Sequence, residues 1–140
     1  NLNVERPINF FNGRYLRVGP AEHLSVAVKA DLLALPQFLL GFDSDVVDSL
    51  HFPKGAQNLD RFFQTAAYFT GLKKLDLQHT EADDSLLASI EGFASLQYLN
   101  VRHTKINAAA LTRLKRLSYL QSLELAKMPG DIEPLLGKLK

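Results

Sequence analysis

The chain contains no cysteine, which excludes thiolate zinc sites, iron–sulfur clusters, cysteine nucleophiles and a disulfide framework. It has no apolar run long enough for a transmembrane helix, because its hydrophobic segments are short and interrupted. An excess of either charge is also missing. Sixteen basic and 15 acidic side chains leave a formal net charge of +1, which excludes a globally basic nucleic-acid binder. There is no Gly-rich phosphate loop, no H-E-x-x-H, no G-x-S-x-G and no EF-hand spacing. A basic-then-apolar leader is lacking and the chain opens at Asn1, so we expect a piece of a longer protein. None of these absences fixes a compartment.

What is present is 140 residues, 46% of them hydrophobic, enough for one domain that needs no metal or disulfide to be stable. Charge is distributed unevenly. Residues 1–100 carry 8 basic and 12 acidic side chains, and residues 101–140 carry 8 basic and 3 acidic, so the two parts differ in sign.

An internal repeat organises the chain. Leu72-Lys-Lys-Leu75-Asp-Leu77-Gln-His-Thr80 recurs as Leu96-Gln-Tyr-Leu99-Asn-Val101-Arg-His-Thr104 and then as Leu120-Gln-Ser-Leu123-Glu-Leu125, at a step of 24 residues. Apolar columns run backwards from it: Phe63, Leu87 and Leu111; Ala66, Ile90 and Leu114; Phe69, Phe93 and Leu117. Each unit holds two periods. Leu75-x-Leu77 and Leu99-x-Val101 alternate like a half-buried strand, whereas Leu87 to Phe93 and Leu111 to Leu117 step by three, like a helix or 3₁₀ segment. Asp83 or Asp84, and Asn107, precede those runs as capping residues. Neither piece buries its apolar face alone, so the units must stack into a parallel sheet backed by helices.

The motif resembles the leucine-rich repeat family, L-x-x-L-x-L-x-x-N/C-x-L, over residues 63–128. Thr80 and Thr104 fill the Asn/Cys slot, as in a variety common in bacterial proteins, with Ala82 and Ile106 at the last apolar position. The resemblance implies a right-handed α/β solenoid of about five parallel strands backed by helices. The inward threonine hydroxyls are expected to bond backbone in the neighbouring coil as a ladder, ending near Met128-Pro-Gly130.

Upstream, Val47-Asp-Ser-Leu50-His-Phe52 fits the strand slots after a 25-residue step, and Val26-Ala-Val28 fits 24 residues earlier. Leu32 to Phe42 and Leu59 to Phe69 are the intervening helical parts. Ile8 to Phe11 and Arg14 to Val18 flank Asn12-Gly13, a tight-turn pair. We therefore expect an N-terminal β-hairpin cap over residues 1–22, repeats over 23–128, and a C-terminal helix over 129–140 opened by Asp131.

Chemistry-bearing residues are few. His79 and His103 share one slot, which puts them about 5 Å apart, with His51 or Asp76 in reach as a third metal ligand. Lys54 and Lys127 occupy that same slot and repel a cation, so a solvated pair and no metal is the expectation. His23 carries no signal. Asp43-Ser-Asp45-Val-Val-Asp48 lacks the glycine turn and bidentate Glu of a calcium loop and reads as a solvated turn. Arg113, Lys115 and Arg116 should form a basic outer helix face able to touch an anionic surface. No aromatic platform accompanies them for nucleic-acid bases.

The outward strand face is more informative. Strand alternation places Ser49, Lys74, Tyr98 and Ser122 in one row, His51, Asp76, Asn100 and Glu124 in the next, and Pro53, Gln78, Arg102 and Ala126 in a third. Donors, acceptors, both charge signs, a Tyr and an Arg suit polar protein recognition. Residues expected to bind are Lys74, Asp76, Gln78, Tyr98, Asn100, Arg102, His51 and Glu124. The family resemblance implies a non-catalytic protein- or peptide-binding module without cofactor, the recognition or scaffold part of a larger bacterial protein, receptor-like or kinase-linked. The alternatives are self-association through an exposed terminal coil, or anionic-surface binding through the basic helix.

Overall fold

A computed structural model describes residues 6–10, 14–18, 24–29, 40, 43–115 and 119–139, with backbone alone for the first two strands and Leu24. Strands β1 (Arg6–Phe10) and β2 (Arg14–Val18) pair antiparallel, Phe10 opposite Arg14, around the Asn12-Gly13 segment. Whether this hairpin caps the first coil depends on side chains outside the described residues. Strands β3 (Leu24–Ala27), β4 (Val47–His51), β5 (Lys74–Asp76), β6 (Tyr98–Asn100) and β7 (Ser122–Glu124) form one five-stranded sheet. Every pairing in it is parallel and between strands consecutive in sequence. With its helices, this is an α/β fold.

The apolar columns set the register. Val26, Leu50, Leu75, Leu99 and Leu123 stand side by side across the five strands, and Leu50, Leu75 and Leu99 are fully buried. Helix α1 (Leu59–Ala66) buries Leu59, Phe62, Phe63 and Ala66, the spacing of one helical face. Phe52, Phe62, Phe63 and Phe93 join into a ring cluster with centroid separations of 5.1–6.0 Å. Gly71 sits where a side chain has no room: a Cβ there would fall 2.9 Å from the carbonyl oxygen of Asp45. Among the described residues no helix is long and apolar enough to cross a membrane.

The helical layer is shorter than its sequence period suggests. A 3₁₀ turn (Asp84–Leu86) leads into α2 (Leu87–Glu91), with Asp83 as the cap: its carboxylate accepts from the Ser85 amide at 2.9 Å. The Ser85 hydroxyl and amide hold that carboxyl below its ordinary range. Asn107 caps α3 (Ala108–Leu111) through the Ala109 amide at 2.9 Å. Asp84 instead bridges units, accepting from the Asn107 amide at 2.7 Å. Helix α4 (Glu133–Lys138) follows, Asp131 accepting from the Glu133 amide at 3.0 Å.

Three expectations are corrected here. Helix α3 stops at Leu111, so among the described residues Arg113 and Lys115 lie beyond it in turns and not on a helix face; Arg116 and Leu117 lie outside the described residues. The amides of Arg113 and Leu114 bond three residues back, to Ala110 and Leu111, so the step of three is the period of tight turns. The threonine hydroxyls bond their own unit: Thr80 Oγ1 donates to the Leu77 carbonyl at 2.7 Å and Thr104 Oγ1 to Val101 at 2.8 Å. Adjacent units are tied by backbone instead, Glu81 N–H to Ala56 at 2.9 Å and Lys105 N–H to Ala82 at 2.8 Å. Finally, the left-handed turn matching His79 is at Gly55 (φ 76°) and not Lys54. The extra residue of that 25-residue step therefore lies between β4 and its turn.

Candidate functional site

The β3–β7 sheet turns a polar face outward, and ladder register fixes which side chains meet there. Ser25, Ser49, Lys74, Tyr98 and Ser122 form one row, and Ala27, His51, Asp76, Asn100 and Glu124 the next. Alternation puts these rows opposite the Leu50–Leu75–Leu99 column. Two local networks result.

The first is built on Tyr98. Its hydroxyl donates to Glu124 Oε1 at 2.8 Å, and Arg102 Nη1 stands 3.6 Å from Glu124 Oε2. Burial pushes the Tyr98 phenol up to about 12, helped by the hydrogen bond to Glu124 and the charges of Glu124 and Asp76, with Asn100 opposing. A phenol held protonated beside a carboxylate is a fixed donor pointing along the face. Asn100 departs from expectation: it is only 3% exposed, and its Oδ1 accepts from the Arg102 amide at 3.1 Å. It supports the backbone under Arg102 and is covered where an open acceptor was expected. Ser49, at 5% exposed, is covered in the same way. Asp76 repeats the local motif one unit earlier, accepting from the Gln78 amide at 3.1 Å.

The second network was not evident from sequence. Ser25 Oγ lies 3.1 Å from His51 Nε2, and His51 Nδ1 lies 3.6 Å from Asp76 Oδ2. Serine, imidazole and carboxylate thus stand in the order that activates a hydroxyl nucleophile. The surroundings work against that chemistry. Ser25 and His51 are exposed, so water screens the chain. The signal that could have found it is the register itself: the three residues come from successive strands.

Beside the face, at the turns after the strands, the His79 and His103 rings stack with centroids 4.2 Å apart and planes at 19°. Both residues are left-handed, at φ 57° and 53°, as is Lys127 at φ 49°. Stacked imidazoles aim their in-plane lone pairs side by side, so in this arrangement they do not converge on one metal ion. Among the described residues no three His, Asp or Glu side chains gather as a metal site.

Of the expected binding residues, the structure joins His51 with Asp76, and Tyr98 with Glu124 and Arg102. Lys74 is exposed in the first row, and Gln78 is half-buried beside Asp76. Arg113 and Lys115 are exposed on the opposite, helical side, where the Lys115 amide is anchored by the Glu91 carboxylate at 3.0 Å. No protein-family model, no curated protein and no solved structure matches the chain.

Proposed function

We propose that the chain is a leucine-rich repeat solenoid module that binds a protein or peptide on its strand face, without catalysis and without a cofactor. In this reading it is the recognition or scaffold part of a larger bacterial protein. The observation that carries the proposal is the Arg102–Glu124–Tyr98 network. It holds one aromatic ring and one guanidinium in place on an open sheet face, so little side-chain freedom is lost when a partner arrives. Five strands at about 4.8 Å spacing give a face some 20 Å wide, enough for a peptide or one patch of a folded protein.

Site-directed photocrosslinking tests this. A benzophenone side chain at Lys74 or Gln78 should capture a partner from the source cell, and one at Gln64 or Ala88 on the helical side should not. Capture confined to the helical positions would overturn the reading.

A second reading has its own support at the last unit. Leu120, Leu123, Leu125 and Met128 are only partly buried, and Ile132, Leu136 and Leu139 are exposed at 41%, 45% and 36%. That apolar end suits self-association, which sedimentation at increasing concentration would register.

A further inference from the structure

The turns that follow β4 to β7 gather positive charge along one edge of the strand face. Lys54, His79, Arg102, His103 and Lys127 lie there, and the stacked imidazoles form its centre. The backbone places them firmly: the His79 amide donates to the Arg102 carbonyl at 3.0 Å and the His103 amide to Ala126 at 2.8 Å. Among the described residues no carboxylate pairs with Lys54, Lys74 or Lys127. The acids of the adjoining face are already engaged, Asp76 with His51 and the Gln78 amide, Glu124 with Tyr98 and Arg102. Lys54 and Lys127 at the two ends of the edge are therefore unmatched, while Arg102 shares Glu124 with Tyr98.

We propose that this basic edge docks an acidic polypeptide segment, its carboxylates lined along Lys54, His79, His103 and Lys127 while its chain crosses the strand face. The proposal rests on the strand-face reading and adds the chemistry of the partner. A polypeptide fits better than a nucleic acid for two reasons. Asp76 and Glu124 stand beside the edge and would repel a continuous phosphate backbone, whereas a peptide can place neutral side chains over them. The edge residues also include no Phe, Tyr or Trp ring on which bases could stack, and the two imidazoles are already stacked on each other.

Proton linkage gives the site a signature. The groups acting on the His103 imidazole are His79, Lys127, Arg102 and Lys54, all basic; burial and these neighbours hold it below its ordinary value. Carboxylates arriving at the edge favour the charged form of the His103 imidazole, so binding takes up protons and tightens as pH falls.

The test is fluorescence anisotropy with a labelled peptide of alternating Glu and Ser, read at about pH 7.5 and about pH 5.5, across the imidazole range. We expect tighter binding at the lower pH, weakened by added salt. Lys54→Glu with Lys127→Glu should reduce affinity about tenfold or more at either pH. His103→Gln should reduce the pH dependence, and His79→Gln with His103→Gln should reduce it at least as far. Circular dichroism melts establish that these surface variants remain folded. Peptide binding that is absent, or indifferent to the edge variants and to pH, overturns the proposal. So does tighter binding of single-stranded DNA or of anionic vesicles. Tyr98→Ala separates the two ideas: loss with this variant alone leaves the face and removes the edge, and loss with the edge variants alone does the reverse.

Discussion

The Tyr98 hydroxyl donates to Glu124 at 2.8 Å, linking strands β6 and β7 through side chains 26 residues apart in sequence. Because burial and that carboxylate push the phenol up to about 12, Tyr98 should ionise well above the ordinary phenol range. Its folded value lies above the unfolded value near 10. The stabilisation is therefore complete below about pH 10 and is lost as pH rises through the folded value. Absorbance titration of the phenols should show one late component that Tyr98→Phe removes. That substitution should also cost about 0.5–1.5 kcal/mol in denaturant unfolding. A titration that Tyr98→Phe leaves without any loss of a late component would contradict the contact.

Strand facing has a direct test in neighbouring residues. Leu99 is fully buried in the apolar column, so Leu99→Ala should cost about 2–5 kcal/mol. Asn100→Ala loses a hydrogen bond to the Arg102 amide and should cost about 1 kcal/mol. Urea unfolding that reversed this order would mean that the facing is wrong.

The two inward threonines should differ. Thr80 Oγ1 donates to Leu77 and also accepts from the Ala82 amide at 3.3 Å, whereas for Thr104 the bond is a donation to Val101. Thr104→Val should then cost about 1 kcal/mol, and Thr80→Val more, because it strands a buried amide as well. Equal losses near zero would show that these hydroxyls contribute nothing.

Much of the sheet is legible in the sequence because Leu75, Leu99 and Leu123 combine a strand period with a fixed 24-residue step. The end of α3 is not, since a three-residue step suits a helix, a 3₁₀ segment or successive tight turns equally well. Residue types alone leave open whether Thr80 bonds its own unit or the next. The covering of Asn100 escapes alternation too, because alternation gives the side of a sheet and not what neighbouring side chains lay over it. On the face, Tyr98, Arg102 and Glu124 could be placed in adjacent rows from sequence. The 24-residue step already put Val26 beside Leu50, but it did not give the diagonal reach of His51 from Asp76 across to Ser25, which depends on side-chain rotamers.

That chain also yields a test of the non-catalytic reading. Because Ser25 and His51 are open to water, Ser25 should stay unlabelled by an alkyl fluorophosphonate, as followed by mass spectrometry. Labelling at Ser25 that disappears with His51→Gln and falls with Asp76→Asn would show an activated nucleophile and overturn the non-catalytic proposal.

A partner held on the strand face must lose affinity when the side chains of that face are removed. Tyr98→Ala and Arg102→Ala should each weaken binding by about 1–3 kcal/mol. Arg113→Glu with Arg116→Glu should leave it nearly unchanged. Undiminished affinity in the Tyr98 and Arg102 double variant, with loss in the Arg113 and Arg116 pair, would contradict the account.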